Sequence, residues 1–274
     1  DTAAVRFSGS YRKRDGDLKS TTGAESNNRD RYMLRGQLYA EPSPDVSIRL
    51  LADYSKVDEN CCDAVILRET ELAPFFAFHG LASDGVGPSG FEALDDRDTN
   101  SQRFINLSKQ WGLSGELKWD LGGAKLTYIG SYRDFSSEST QESDFVSLNV
   151  FTAGGNGASP LPGQPKNGDN IQTMTHELRL QGDAFDGKLD WLIGAFYATE
   201  DIAAQGVLTL GSDFQRAVSA GNFANLAGVN PAFTLTALGN GGVPVNATGG
   251  TATNLFTQDA QTYSFFTHNV FDIT

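Results

Sequence analysis

The stretch Leu107-Ser108-Lys109-Gln110-Trp111-Gly112-Leu113-Ser114-Gly115-Glu116-Leu117-Lys118-Trp119-Asp120-Leu121 decides the fold. Successive side chains of a β-strand point to opposite faces, so these residues separate into two sets. One set reads Trp111, Leu113, Gly115, Leu117, Trp119, Leu121, and the other reads Gln110, Gly112, Ser114, Glu116, Lys118, Asp120. A helix would space its apolar residues three and four apart and could not give this division. The run also exceeds the roughly 9–11 residues with which a tilted strand crosses a bilayer.

The same two-residue period recurs on both sides of this stretch. Residues 3–13 set Val5, Phe7, Gly9 and Tyr11 against Arg6, Ser8, Ser10 and Arg12. Residues 31–41 set Tyr32, Leu34, Gly36, Leu38 and Ala40 against Met33, Arg35, Gln37, Tyr39 and Glu41. Residues 45–56 set Val46, Ile48, Leu50, Ala52 and Tyr54 against Ser47, Arg49, Leu51, Asp53 and Ser55. Residues 126–135, 173–182, 188–198 and 261–273 complete eight predicted strands, with the first and last of these four alternating less cleanly.

Connections between these strands are of two kinds that take turns along the chain. Glu41-Pro42-Ser43-Pro44-Asp45, Leu121-Gly122-Gly123-Ala124 and Ala184-Phe185-Asp186-Gly187 are short and rich in turn-forming residues. Residues 14–30, 57–103, 136–172 and 199–259 form long loops. Structureless connections beyond about 12–15 residues are uncommon in compact domains. Short periplasmic turns alternating with long extracellular loops are the rule for an outer-membrane barrel. The expected fold is therefore all-β: an antiparallel transmembrane β-barrel segment of about eight long strands.

Composition narrows the functional classes. The 274 residues include 30 Gly, 18 Phe and 8 Tyr but only 2 Met, 3 His and 2 Cys. No run of about 18 apolar residues is present, which removes a helical membrane span. Mean hydropathy is mildly polar at −0.32, as expected where strands carry apolar residues at alternate positions. The net charge of −13 opposes nucleic-acid binding, which needs clustered cations in excess. Asp1-Thr2-Ala3-Ala4 carries neither a basic nor an apolar leader segment, so no targeting signal is read there. Trp119 and Trp191 sit near short turns, while Tyr11, Tyr54, Tyr132 and Tyr197 lie on apolar faces towards the long loops. That distribution matches two interfacial aromatic girdles, although aromatic residues also fill sandwich cores.

Several segments resemble the TonB-dependent receptors of Gram-negative bacteria, particularly those of sphingomonads. The resemblance lies in Val5-Arg6-Phe7-Ser8-Gly9-Ser10-Tyr11-Arg12-Lys13-Arg14-Asp15-Gly16, in Arg29-Asp30-Arg31-Tyr32-Met33-Leu34-Arg35-Gly36-Gln37-Leu38 and in Val46-Ser47-Ile48-Arg49-Leu50-Leu51-Ala52-Asp53-Tyr54-Ser55. It continues in His176-Glu177-Leu178-Arg179-Leu180 and Leu189-Asp190-Trp191-Leu192-Ile193-Gly194-Ala195-Phe196-Tyr197. No energy-coupling box or plug domain is read, and Asp272-Ile273-Thr274 is not an aromatic terminal strand signal. The resemblance thus implies that residues 1–274 are a mid-barrel part, roughly a third of a wall of about 22 strands. A complete eight-stranded barrel and a passive porin are the rivals.

What the resemblance implies for function is outer-membrane uptake of a scarce substrate. Iron–siderophore complexes come first, with carbohydrates, cobalamin and other organic compounds behind. The expected partners are a small molecule such as a metal chelate, the receptor's own plug domain, the TonB system and outer-membrane lipid. No enzyme activity and no cofactor are expected, since no nucleophile elbow, phosphate-cradling loop or recurrent carboxylate pair is found.

Residues that could carry binding are few. Phe75, Phe76 and Phe78 form an apolar loop cluster that either packs the loops together or grips a substrate, and His79 follows them. Arg35, Arg49, Asp53, Glu116, Lys118, Arg133, Glu177 and Arg179 fall on polar faces. They are expected to bond one another or a plug, with Arg49 and Arg133 the ones read as substrate contacts. Cys61 and Cys62 follow a strand in a compartment where thiols tend to pair. A vicinal disulfide is the first reading, adjacent free thiols the second, and a metal site the least supported without two further spaced ligands. His79, His176 and His268 are isolated in sequence and make no metal-ligand spacing.

Overall fold

The computed structural model describes residues 2–20, 25–64, 98–99, 104–142, 151–154, 167–210 and 251–273. It contains β1 (Ala3–Arg14), β2 (Leu18–Ser20), β3 (Glu25–Ser26), β4 (Arg29–Ser43), β5 (Val46–Glu59) and β6 (Asp98–Thr99). These are followed by β7 (Ile105–Asp120), β8 (Ala124–Glu142), β9 (Phe151–Ala153), β10 (Gly168–Ala184), β11 (Leu189–Leu210) and β12 (Thr251–Phe271). The long strands pair in the order β1-β4-β5-β7-β8-β10-β11-β12, each antiparallel to its neighbours. The chain is a segment of β-barrel wall built from successive hairpins, all-β as its period-two pattern predicts. β2, β3 and β6 form a small separate sheet in which β6 joins β2 in parallel.

Turn chemistry fixes the hairpins at one end. At the β4–β5 turn the register shifts between Ala40 and Ser43, so Pro42 falls in an irregularity where its missing N–H disrupts no ladder. Gly122, between β7 and β8, adopts φ +86°, a left-handed conformation open to glycine at no steric cost. Asp186 and Gly187, at φ 55° and 79°, are the double left-handed pair of a tight hairpin turn between β10 and β11, closed by the Lys188 N–H donating to the Phe185 carbonyl.

Register turns the sequence pattern into two faces. On one, Val5 stands opposite Leu38, Leu38 opposite Leu50, and Leu50 opposite Gly115. Leu126, Leu180 and Ile193 continue that face across β8, β10 and β11. Its side chains are bare: Phe7 is 83% exposed, Phe265 86% and Leu113 53%. Among the described residues the only buried hydrophobics are Leu18, Phe104 and Val207. The sheet has no interior of its own, and so large a contiguous apolar surface calls for an apolar medium or partner against it.

Aromatic residues bound this outer face. Tyr32 and Tyr54 pack at 5.7 Å between ring centroids, Trp111 and Tyr132 at 5.1 Å, and Tyr197 and Tyr263 at 4.9 Å. His176 lies between Tyr128 and Tyr197 at 6.0 and 6.4 Å, with its Nδ1 2.7 Å from the Tyr128 hydroxyl. The histidine that looks isolated in sequence is thus a member of the girdle. Beyond this belt the outer face turns polar, with Lys56 opposite Lys109 and the row Asp134, Gln172, Asp201, Asp259 paired strand to strand. From Trp111 to Trp119 the apolar band of β7 is nine residues long, within the roughly 9–11 that a tilted strand needs to cross.

Several strands outrun their expected limits. β8 continues to Glu142, β10 begins at Gly168, β11 reaches Leu210 and β12 starts at Thr251, all inside stretches predicted as loop. Past the girdle the ladder persists while neither face needs apolar side chains, so the alternation that marks a strand in sequence disappears. β9 fills the lane above β10 by pairing with both β8 and β11. Asn167 bridges the break between them: its side-chain amide donates to the Ser139 carbonyl at 2.9 Å, and its side-chain oxygen accepts from the Val207 N–H at 2.9 Å. A side chain here does the work of a missing peptide unit.

Candidate functional site: the inner face and rim

The opposite face gathers the polar sets of every strand. In one row Arg35 faces Asp53, Asp53 faces Gly112, Gly112 faces Arg133, and Arg133 faces Thr173. Arg133 reaches back over β7 to Asp53, its two terminal nitrogens 3.2 and 3.4 Å from the carboxylate oxygens. Gly112 makes this possible, since a Cβ there would lie 3.2 Å from the guanidinium nitrogen. A second row carries Arg49, Glu116, Ile129 and Glu177 on successive strands. Lys118 pairs with Glu116 at 3.0 Å, and the Arg179 Nε donates to Glu177. Arg49 also lies opposite Tyr39, whose hydroxyl donates to Glu41 at 2.6 Å. These groups are half-exposed, so each pair contributes little to stability, on the order of 0–1 kcal/mol. Their chemical consequence is an inner face whose charges are held in fixed places.

At the end that carries the long connections, the residues after β3 and β5 interlock. Arg31 makes a two-pronged ion pair with Glu59, both bonds 2.7 Å, and Glu59 is only 4% exposed. Asn27, at φ 60°, donates its side-chain amide to the Asp63 carbonyl and accepts from the Asp63 N–H at 3.0 Å. Ser26 donates to the Asp63 carboxylate at 2.8 Å. Asn27 also gives its backbone N–H to Asn60 and receives Arg14 on its carbonyl, both at 2.6 Å. Cys61 and Cys62 are joined to each other in a disulfide within this clasp, across a cis peptide bond.

The predicted site residues are therefore distributed as follows. Arg49 and Arg133 share the inner face but stand in different rows, and Arg133 is engaged with Asp53. Phe75, Phe76, Phe78 and His79 lie outside the described residues. Among the described residues no group of three or more His, Cys, Asp or Glu is placed to hold a metal ion. Sequence reasoning missed Glu59, Asn27 and Asn167, whose roles depend on partners some 30 to 40 positions away. It also missed Gly112 as the gap that Arg133 crosses. A glycine on the polar face of an otherwise fully furnished strand is the signal that could have found it.

No protein-family model and no curated protein matches the chain. Among solved structures it is similar to the ferric yersiniabactin uptake receptor FyuA from Yersinia pestis, with 10% identity over 98% of this chain and 39% of that one, at a TM-score of 0.45. It is similar to the RagAB peptide transporter, with 9% identity over 99% of this chain and 29% of that one, at a TM-score of 0.47. The RagAB peptide importer in its closed-closed state gives 11% identity over 100% of this chain and 29% of that one, also at 0.47. The chain spans between 29% and 39% of the length of these structures.

Proposed function

We propose that this chain is part of the barrel wall, with extracellular loops, of an outer-membrane TonB-dependent receptor that takes up a scarce substrate, an iron–siderophore complex foremost. The observation that carries the reading is the ordered meander itself. Seven antiparallel pairings follow the chain, short turns lie at one end and long connections at the other, and a nine-residue apolar band on the outer face ends in an aromatic girdle. On this reading the short turns are periplasmic, lipid covers the outer face, and a plug supplied by the rest of the protein sits against the inner one. The plug and the TonB system bring the energy. Phe75, Phe76, Phe78 and His79, together with Arg49 and Arg133 of the inner face, are the residues proposed to meet the substrate; no catalytic step is assigned.

The small eight-stranded barrel is disfavoured by one observation. Among the described residues β1 pairs only with β4 and β12 only with β11, so the sheet stays open where that barrel would close. The test is uptake of radiolabelled iron chelates by iron-starved cells carrying or lacking the full-length gene, with and without collapse of the proton gradient. Gene-dependent uptake that stops on collapse is expected. Uptake that survives collapse would make the protein a passive porin, and gene-dependent import of a solute other than an iron chelate would remove the siderophore assignment.

A further inference from the structure

Four arginines stand together on the inner face at the rim, and the register, rather than the sequence, brings them there. Arg12 on β1 is directly opposite Arg31 on β4, and Arg14 is directly opposite Arg29. The lysine and aspartate between them, Lys13 and Asp30, face each other on the outer side. Directly opposed like charges on neighbouring strands repel, yet here two such pairs lie side by side. Glu59 neutralises Arg31, and Arg14 spends one donor on the uncharged Asn27 carbonyl. Arg12 and Arg29 make no side-chain hydrogen bond or ion pair among the described residues. In a protein with a net charge of −13 this is a local excess of positive charge placed against the overall field.

We propose that this ridge is a binding site for a solute carrying two or more carboxylate or phosphate groups, taken at the mouth of the conduit. The inference rests on the receptor reading and deepens it by naming the chemistry of the ligand. Opposed residues on antiparallel strands lie about 4.5–5.5 Å apart, and residues two apart along a strand lie about 7 Å apart. The four stems therefore form a small grid, which one singly charged ion could not satisfy and a compact polyanion could bridge. Guanidinium forks match both oxygens of a carboxylate or phosphate, which an ammonium does not. All four inner positions are arginine, while the lysine of this stretch lies on the outer side. Arg31, held by Glu59, anchors one corner of the grid, and the freer Arg12 and Arg29 supply the donors that close on the ligand.

The experiment uses the full-length receptor in lipid nanodiscs and titration calorimetry with three probes: citrate, pyrophosphate and the neutral sugar trehalose. At least one anion is expected to bind while trehalose does not, and the comparison of citrate with pyrophosphate separates carboxylate from phosphate recognition. Arg12→Gln/Arg29→Gln should weaken anion binding about tenfold or more, since hydrogen bonds to charged groups are the strong ones. Lys13→Gln changes net charge on the outer side of the same strand and should leave affinity within about twofold, given screening over about a Debye length. Heat-modifiable mobility reports whether each barrel is closed. Should the glutamine pair fail to close, Arg12→Lys/Arg29→Lys keeps the charge and must still lose affinity. Absence of anion binding, unchanged binding in the folded arginine variants, or an equal loss in Lys13→Gln would each overturn the site. Energy-driven uptake without anion binding overturns only this inference, whereas anion binding without energy-driven uptake overturns only the receptor reading.

Discussion

Arg133 and Asp53, 80 positions apart in sequence, join β8 to β5 by passing over β7 at the one place in that row where the intervening strand has no side chain. Gly112→Leu should therefore separate them. In a double-mutant cycle with Arg133→Ala and Asp53→Ala, urea unfolding of the refolded full-length barrel should give a coupling of about 0.2–1 kcal/mol, because the guanidinium is half-exposed. The same cycle in the Gly112→Leu background should give none. Coupling that survives the leucine would show that the arginine takes another path.

Sidedness follows from the pleat. Leu50 belongs to the outer face with Val46 and Ile48, and Ser47 to the inner face with Arg49 and Asp53. If lipid covers the outer face, as proposed, Leu50→Arg in the full-length protein should impair barrel assembly, since a cation near the midplane of a lipid face costs about 2–4 kcal/mol. Ser47→Arg should assemble. Heat-modifiable mobility after folding into bilayers reads both, and the reverse pattern would exchange the two faces throughout.

The rim clasp depends on a buried carboxylate. Removing its partner by Arg31→Ala leaves Glu59 with neither prong of its ion pair, a loss of about 1.5–3 kcal/mol for charged hydrogen bonds. Glu59→Gln/Arg31→Ala should recover part of that loss, because a neutral amide is cheaper to bury than an unpaired carboxylate. Limited proteolysis within residues 60–64 is the readout. Equal protection in all three proteins would mean that Ser26, Asn27 and Asp63 hold the clasp alone.

Asn167 serves two strands with one amide, and Asn167→Ala should free the Val207 N–H and the Ser139 carbonyl together. Hydrogen exchange at Val207 is expected to quicken about tenfold or more, the loss of one hydrogen bond of about 1–1.5 kcal/mol. Exchange in the lower part of β11, from Leu189 to Ala198, should not change. A uniform rise along the whole strand would make Asn167 a global rather than a local bridge.

The faces of the wall were legible in sequence because one face carries apolar and the other polar side chains at alternate positions. Leu113 beside Ser114 and Leu117 beside Lys118 state that opposition, and the turns at Pro44 and Gly122 punctuate it. Legibility ended where that alternation ended. Thr199–Leu210 reads as loop because beyond the girdle neither face requires apolar side chains, and only pairing with β9, β10 and β12 reveals the strand. Pair partners were out of reach for a different reason. Alternation gives the face on which Arg12 or Arg31 lies but not the residue opposite it, so the arginine grid and the Arg31–Glu59 pair had to come from register.

The unequal strand lengths have a consequence for where the protein meets its surroundings. From Tyr197 in the girdle to Leu210, β11 climbs a further 13 residues, about 40 Å along the strand and about 30 Å in height at the usual tilt. The wall thus continues as a parapet well past the apolar band, and its long connections spring from the top of that parapet instead of from the girdle. On the proposed reading, a dissolved molecule would be met that far out in the medium and would pass down beside the wall before it drew level with the lipid.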